Sequence, residues 1–298
     1  MAQNSPTLPV HLSFSQVDVF TDTPFRGNPV AVVHDADELS TEHMQRIANW
    51  TNLSETTFLL TPSDPSADYR VRIFTPGVEL PFAGHPTIGS CHAWLTKQDN
   101  EPKRADRIVQ ECEVGLIELR RDDDRLAFAA PPLIKQGPVN EAELGLVAAF
   151  LRIDRSAILD AQWTDNGPGW LTVHLDSAEE VLALKPDFSA VENASGTGVA
   201  GPHPIGVVGN HRAGNPALEV RAFFQAGGTP TEDPVTGSLN AAIAQWLLSQ
   251  DEPIVSPSYV AAQGTAIGRL GRVHIDQIDD TIWVGGHAVT CVAGSIWP

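Results

Sequence analysis

The sequence predicts an α+β protein of two similar, strand-rich domains, each wrapped around one buried helix. Three observations carry that expectation. First, a stretch repeats half a chain away. His85-Pro86-Thr87-Ile88-Gly89-Ser90-Cys91-His92-Ala93 aligns without a gap on Asp233-Pro234-Val235-Thr236-Gly237-Ser238-Leu239-Asn240-Ala241, an offset of 148 in a chain of 298. Upstream, Val71-Arg72-Ile73-Phe74 matches Val220-Arg221-Ala222-Phe223 at an offset of 149. A repeat of this length implies two like halves facing each other across a cleft. Second, Ile88 to Leu95 and Leu239 to Leu248 are apolar almost all round, and a helix with no polar face belongs inside a protein. Third, the flanking segments are short and alternate apolar with polar residues, the period of half-buried strands.

The elements follow in order. Val17–Phe20 and Ala31–Val33 read as strands around the turn-rich run from Thr23 to Pro29. Ser40 caps a helix beginning at Thr41, with Met44, Ile47, Ala48 and Trp50 at helical spacing. Asn52-Leu53-Ser54 ends it, and Glu55 to Leu60 and Asp68 to Phe74 follow as strands, with a turn at Pro76-Gly77. Beyond the first apolar helix, Ile108–Gln110, Gly115–Arg120 and Leu126–Ala129 read as strands. Ala130-Pro131-Pro132 is the natural boundary. It gives an N-terminal domain of residues 1–130 and a C-terminal domain of 131–281, with 282–298 expected to pack back on the first. In the second half, Glu141–Leu151 and Ala178–Leu184 read as peripheral helices, and Asp276–Asp280 as a turn before a strand at Thr281–Val284.

Composition excludes several classes. A formal net charge of −18 argues against nucleic-acid or anionic-membrane partners, which need concentrated positive charge. The three cysteines, Cys91, Cys112 and Cys291, are scattered, without a disulfide framework or a metal knuckle. No apolar run approaches a membrane span, and the first residues lack the pattern of a signal peptide; the expectation is a cytoplasmic protein. Gly196 to Gly201 satisfies GxGxxG. It lacks the preceding strand and the following helix that a dinucleotide site requires, so no nucleotide is expected there.

The residues suited to chemistry cluster in the repeat. Each copied loop opens a helix, whose free N–H groups and roughly +0.5 charge favour an anion. His85, between Gly84 and Pro86, is expected on a tight loop beside that helix start, biased toward the neutral form. Aligned with it is Asp233, preceded by Glu232. Asp there is suited both to capping and to proton transfer. His85 and His92 are seven apart, but no third ligand is in view and no metal is expected. Glu55 opens a mostly apolar strand, where partial burial would raise a carboxyl into a useful acid/base range; a strand-end glutamate exposed to solvent fits the same pattern.

The runs Gly27-Asn28-Pro29-Val30, Asn52-Leu53-Ser54-Glu55-Thr56, Arg72-Ile73-Phe74-Thr75-Pro76, Glu79 through Gly89 and Glu232-Asp233-Pro234-Val235-Thr236-Gly237-Ser238 together resemble the phenazine-biosynthesis (PhzF-like) isomerase family. The resemblance runs from about Val17 to Val284 and the residues just after it. It implies the diaminopimelate-epimerase-like fold, two pseudo-symmetric strand barrels each around a central helix, with the site between them. It implies Glu55 as the acid/base, His85 and Asp233 as its supporting residues, and Asn28, Gly84, Gly237 and Ser238 as substrate contacts. It further implies a small carboxylated substrate, no metal or organic cofactor, and a homodimer. Epimerases of the wider fold use two cysteines, and the cysteines here fall elsewhere, so a thiol mechanism is disfavoured. A two-base epimerase without thiols and a non-catalytic acid-binding protein are the alternative functions. One departure stands out: where relatives often carry Gly-Arg-Pro-Ser, this chain has Gly268-Arg269-Leu270-Gly271-Arg272.

Overall fold

The computed structural model describes residues 11–97, 100–188, 203–226 and 229–298. The GxGxxG run at 196–201 and the first ten residues lie outside this set. The chain divides into two compact units, Met1–Phe128 with Gly286–Pro298, and Ala129–Gly285.

In the first unit, β1 (Leu12–Val19), β2 (Asn28–Val33), α1 (Thr41–Thr51), β3 (Thr56–Leu60), β4 (Tyr69–Phe74) and the short β5 (Glu79–Leu80) precede the central helix α2 (Gly84–Thr96). Then come β6 (Arg107–Cys112), β7 (Gly115–Asp122) and β8 (Arg125–Ala129), and the last strand of the chain, β18 (Ala288–Ile296), completes the set. Their order is β18-β1-β2-β3-β4-β6-β7-β8. Neighbours are antiparallel except β2 with β3 and β4 with β6. Strands β1, β2, β3, β4, β6 and β18 all touch α2.

The second unit has β9 (Lys135–Pro138), α3 (Glu141–Leu151), β10 (Asp160–Asp165), β11 (Leu171–Leu175), α4 (Ala178–Ala183), β12 (Ile205–Asn210), β13 (Leu218–Ala226) and β14 (Thr229–Asp233). Its central helix is α5 (Gly237–Leu248), followed by β15 (Ser258–Gln263), β16 (Gly271–Ile278) and β17 (Thr281–Gly286). The order is β9-β10-β11-β12-β13-β15-β16-β17, with parallel pairs only at β11–β12 and β13–β15. Position for position, this is the pattern of the first unit. The protein is thus an α+β fold of two like units, each a curled sheet around a buried helix. Within α5, Leu239, Ala241, Ala242, Ile243 and Leu247 are fully buried, which is why that segment carries no polar face.

The peripheral helices pack outside. Ser40 accepts from His43 N–H and caps α1, and Asn52 ends it in the left-handed conformation, φ 55°. Met44 and Ala48, one turn apart, face Phe58 and Phe74 in a core that also holds Leu12 and Val33. Trp50 does not join them. It is 82% exposed, because a step of six residues from Met44 carries it round to the far side of the helix.

Two expectations need correction. The helix after the first copied loop begins at Gly84, not Ile88, so His85 is the second residue of α2 and not part of a loop. Pro86 does not prevent this, since proline is tolerated in a first turn whose N–H groups have no helical partner. The repeat is also out of register with the fold. On the hairpins, Phe74 faces Glu79 and Phe223 faces Glu232; the central helices start at Gly84 and Gly237. The counterpart of His85 is therefore Ser238, and that of Asp233 is Leu80. The Pro-x-x-Gly-Ser string lies inside α2 in one unit and leads into α5 in the other. True structural repetition appears elsewhere. Arg72 forks onto Glu79 at 2.7 and 2.6 Å, and Arg221 forks onto Glu232 at 2.9 and 2.7 Å.

Candidate active site

Asn28, Glu55 and His85 converge in the first unit. Asn28 opens β2, Glu55 immediately precedes β3, and His85 sits in the first turn of α2. His85 Nε2 lies 3.2 Å from Glu55 Oε2, a close but bent contact short of hydrogen-bond alignment. On the other side of the ring, Asn28 Nδ2 lies 3.5 Å from His85 Nδ1. Asn28 and His85 are buried, and the Glu55 side chain is 15% exposed. Burial pushes the His85 pKa down to about 3, because a cation loses its hydration there. The imidazole is neutral, so its contact with Glu55 is not an ion pair. A neutral ring beside a carboxyl is suited to holding or passing a proton.

The start of α2 is built for openness. Ser40, Asn140 and Ser177 cap α1, α3 and α4 with side-chain oxygens, and each of those first turns carries acidic residues. Both α2 and α5 lack a side-chain cap and an acidic first turn. At Gly84, a Cβ would lie 2.7 Å from the Phe128 ring, so only glycine lets this helix start against that aromatic.

In the second unit, Asp233 ends β14 and is buried. It is not the cap of α5; Thr236 holds that position. The Thr236 hydroxyl instead donates to Asp233 Oδ2 at 2.5 Å. Behind it stands Gln263, completely buried. Gln263 Oε1 accepts from Thr236 N–H at 3.0 Å and from Asn240 Nδ2 at 2.8 Å. Its Nε2 donates to Thr236 Oγ1 at 2.9 Å and to the Asp233 carbonyl at 3.2 Å. The two bonds accepted at Oε1 fix the amide orientation, so Nε2 must donate to Thr236 and the threonine proton must go to Asp233. Asp233 is thereby held as an acceptor at Oδ2. Glu232 shares no such role: adjacent strand residues point to opposite faces, and it is occupied by Arg221. Ser238, the second residue of α5, accepts from Trp170 Nε1 at 3.1 Å, while its carbonyl accepts from Asn166 Nδ2 at 2.9 Å. Gly237 starts α5 and is buried.

Sequence reasoning missed Gln263, Thr236 and Asn240 as a clamp, and missed Trp170 and Asn166. None carries a local signal; each matters through a partner distant in the chain. Arg269 lies in the β15–β16 connection, its N–H bonded to the Gly264 carbonyl at 2.9 Å. Burial raises the thiol pKa of Cys91, to about 12, and pushes Cys112 and Cys291 up as well, the opposite of what a thiolate base requires. Among the described residues, no group of three or more His, Cys, Asp or Glu is placed to hold a metal ion, and no helix is long and apolar enough to cross a membrane.

The family model described as phenazine biosynthesis-like protein (PhzC/PhzF) matches residues 17–294. The chain belongs to this family. Antisense-enhancing sequence 1 of Schizosaccharomyces pombe is 39% identical over 294 residues, covering 95% of this chain and 97% of that protein. Trans-2,3-dihydro-3-hydroxyanthranilate isomerase of Pseudomonas aeruginosa is 34% identical over 267 residues, covering 87% of each. A Bacillus anthracis phenazine biosynthesis protein of the PhzF family matches the fold with a TM-score of 0.80 at 22% identity, over 96% of this chain and 99% of that one. This PhzF-family chain is an isomerase, as several of its relatives are named.

Proposed function

We propose that this isomerase moves a proton within a small carboxylated metabolite without a cofactor, with Glu55 as the acid/base. The observation that carries this reading is the Glu55 carboxyl 3.2 Å from the buried His85 at the uncapped start of α2. Glu55 removes a proton from a carbon beside an activating group and returns it to another. His85 holds the carboxyl in place. The free N–H groups of Gly84 and His85 favour a carboxylate or a developing negative charge. Asp233, held as an acceptor by Thr236, is the supporting acid. Ser238 and Gly237, at the other uncapped helix start, contact the substrate. A positioned acid/base contributes about 10²–10⁴ in rate. A homodimer belongs to the same proposal and is checked by sedimentation.

The test uses trans-2,3-dihydro-3-hydroxyanthranilate and a panel of small unsaturated and amino carboxylic acids in deuterated water. Deuterium incorporation by the wild type, lost in Glu55→Gln with folding intact, is the expected result. Incorporation into none of the compounds, or wild-type incorporation by the variant, overturns it. Chiral chromatography of the product separates proton migration from inversion at a single carbon.

A further inference from the structure

The environment of His85 dictates where its one ring proton sits. A side-chain NH₂ group can only donate, so the ring nitrogen facing Asn28 Nδ2, which is Nδ1, must accept. A neutral imidazole carries a single proton, which then resides on Nε2, the atom facing Glu55 Oε2. With Glu55 ionised, the opposite arrangement would turn an Nε2 lone pair toward a carboxylate oxygen, acceptor against acceptor. An ionised Glu55 favours the same tautomer, but its contact is bent, so the choice rests on Asn28. Burial supports the neutral form, with the His85 pKa lowered to about 3.

The frame around Asn28 keeps its backbone in place. Asn28 pairs with Val19 across β1 and β2. The residue before it, Gly27, donates its N–H to the buried Asp18 carboxylate at 3.1 Å. A Cβ on Gly27 would lie 2.4 Å from the Val19 carbonyl oxygen, so the turn closes only around glycine. The three contributing elements are tied together as well. Ala31 N–H donates to the Glu55 carbonyl at 3.4 Å. Ser90 Oγ of α2 donates to Thr57 Oγ1 at 2.8 Å, and Thr57 Oγ1 donates to the Ala31 carbonyl at 3.3 Å.

We propose that Asn28 is a positioning residue that fixes His85 as the tautomer protonated on Nε2. His85 then presents its N–H on the side of Glu55 Oε2, and the proton that Glu55 transfers is carried on Oε1. The assignment of the transferring oxygen rests on the reading of Glu55 as the acid/base; the tautomer assignment does not. Asn28 thus acts through His85, a role different from the direct substrate contact that the family resemblance implied.

The tautomer is read directly by long-range ¹H–¹⁵N correlation on the uniformly labelled full-length protein. The His85 ring signals are identified among ten histidines by their loss in His85→Gln. The expected wild-type result near neutral pH is a neutral ring protonated on Nε2. Asn28→Asp puts an acceptor against Nδ1 and is expected to move the proton there, or to protonate the ring on both nitrogens. Asn28→Ala is expected to lose the single tautomer and show a mixture. A merely structural role for Asn28 would leave the tautomer unmoved. A wild-type ring protonated on Nδ1 overturns the proposal, as does an unchanged Nε2–H ring in both Asn28 variants. If the variants do not fold, the wild-type spectrum alone still decides the tautomer. Retention of deuterium exchange by Glu55→Gln, with His85 protonated on Nε2, removes the acid/base reading and leaves the tautomer assignment standing.

Discussion

Replacing Gln263 with leucine tests whether the Asp233 turn is held by one buried amide. Gln263 makes four hydrogen bonds from a fully buried position, two accepted and two donated. Leucine fills nearly the same volume and makes none of them. Asn240 Nδ2 keeps its second partner, the Thr236 carbonyl at 2.9 Å. The Thr236 N–H and the Asp233 carbonyl lose the bonds Gln263 made, at about 1–3 kcal/mol for each buried polar group left unsatisfied. The added apolar burial returns about 1 kcal/mol. The net loss expected is about 1–5 kcal/mol, measured as the shift in urea midpoint at constant m-value. Thr236→Val is made alone and together with Gln263→Leu. Because Thr236 Oγ1 links Gln263 to Asp233, the two substitutions are expected to be non-additive by about 1 kcal/mol or more. A loss below about 1 kcal/mol, or strict additivity, would refute the relay from Gln263 through Thr236 to Asp233.

Two further expectations concern the arginine forks and the buried histidines. Arg221 and Glu232 are nearly buried, 6% and 10% exposed, whereas Arg72 and Glu79 are 21% and 29% exposed. Arg221 also donates to the Val181 and Leu184 carbonyls at 3.2 and 2.9 Å. Arg221→Met is therefore expected to cost about 3–5 kcal/mol and Arg72→Met about 1 kcal/mol; equal losses in urea unfolding would contradict the ranking. The second concerns pH. Burial lowers His85 to about 3 and His34 to about 4 in the folded chain, from 6.5. Between those values the unfolded chain binds more protons. Stability from the buried neutral rings is complete above pH 6.5 and falls as pH drops toward the folded values, by up to about 1.4 kcal/mol per pH unit for each histidine. His85→Gln is expected to flatten that acid slope while His34 still contributes, as read from urea unfolding at stepped pH. An unchanged slope would show that His85 is not held neutral by burial.

How much of this was visible beforehand differs element by element. The helix from Thr41 was readable because Ser40 caps it and Met44 and Ala48 recur at helical spacing, all local facts. Its Trp50 was misplaced, since apolar character does not say which side of a helix meets a sheet. The start of α2 was set one turn late because glycine and proline at 84 and 86 usually interrupt a helix. Here Phe128, brought in from β8, makes glycine at 84 a requirement of packing. The copied string misled in register: matching letters are counted along the chain, whereas equivalence in the fold is set by which residues face each other on a hairpin. The Arg72–Glu79 and Arg221–Glu232 forks mark the true repeat.

By itself, the sequence determined the class of fold, the two buried helices, the family, and the residue types available for proton transfer, because periodicity and motif are properties of neighbouring residues. Only the tertiary structure decided that His85 is a buried neutral ring between Asn28 and Glu55, and that Asp233 is clamped through Thr236 by Gln263. Those facts depend on burial and on hydrogen-bond direction between groups dozens of residues apart, and chain order encodes neither until the strands have paired.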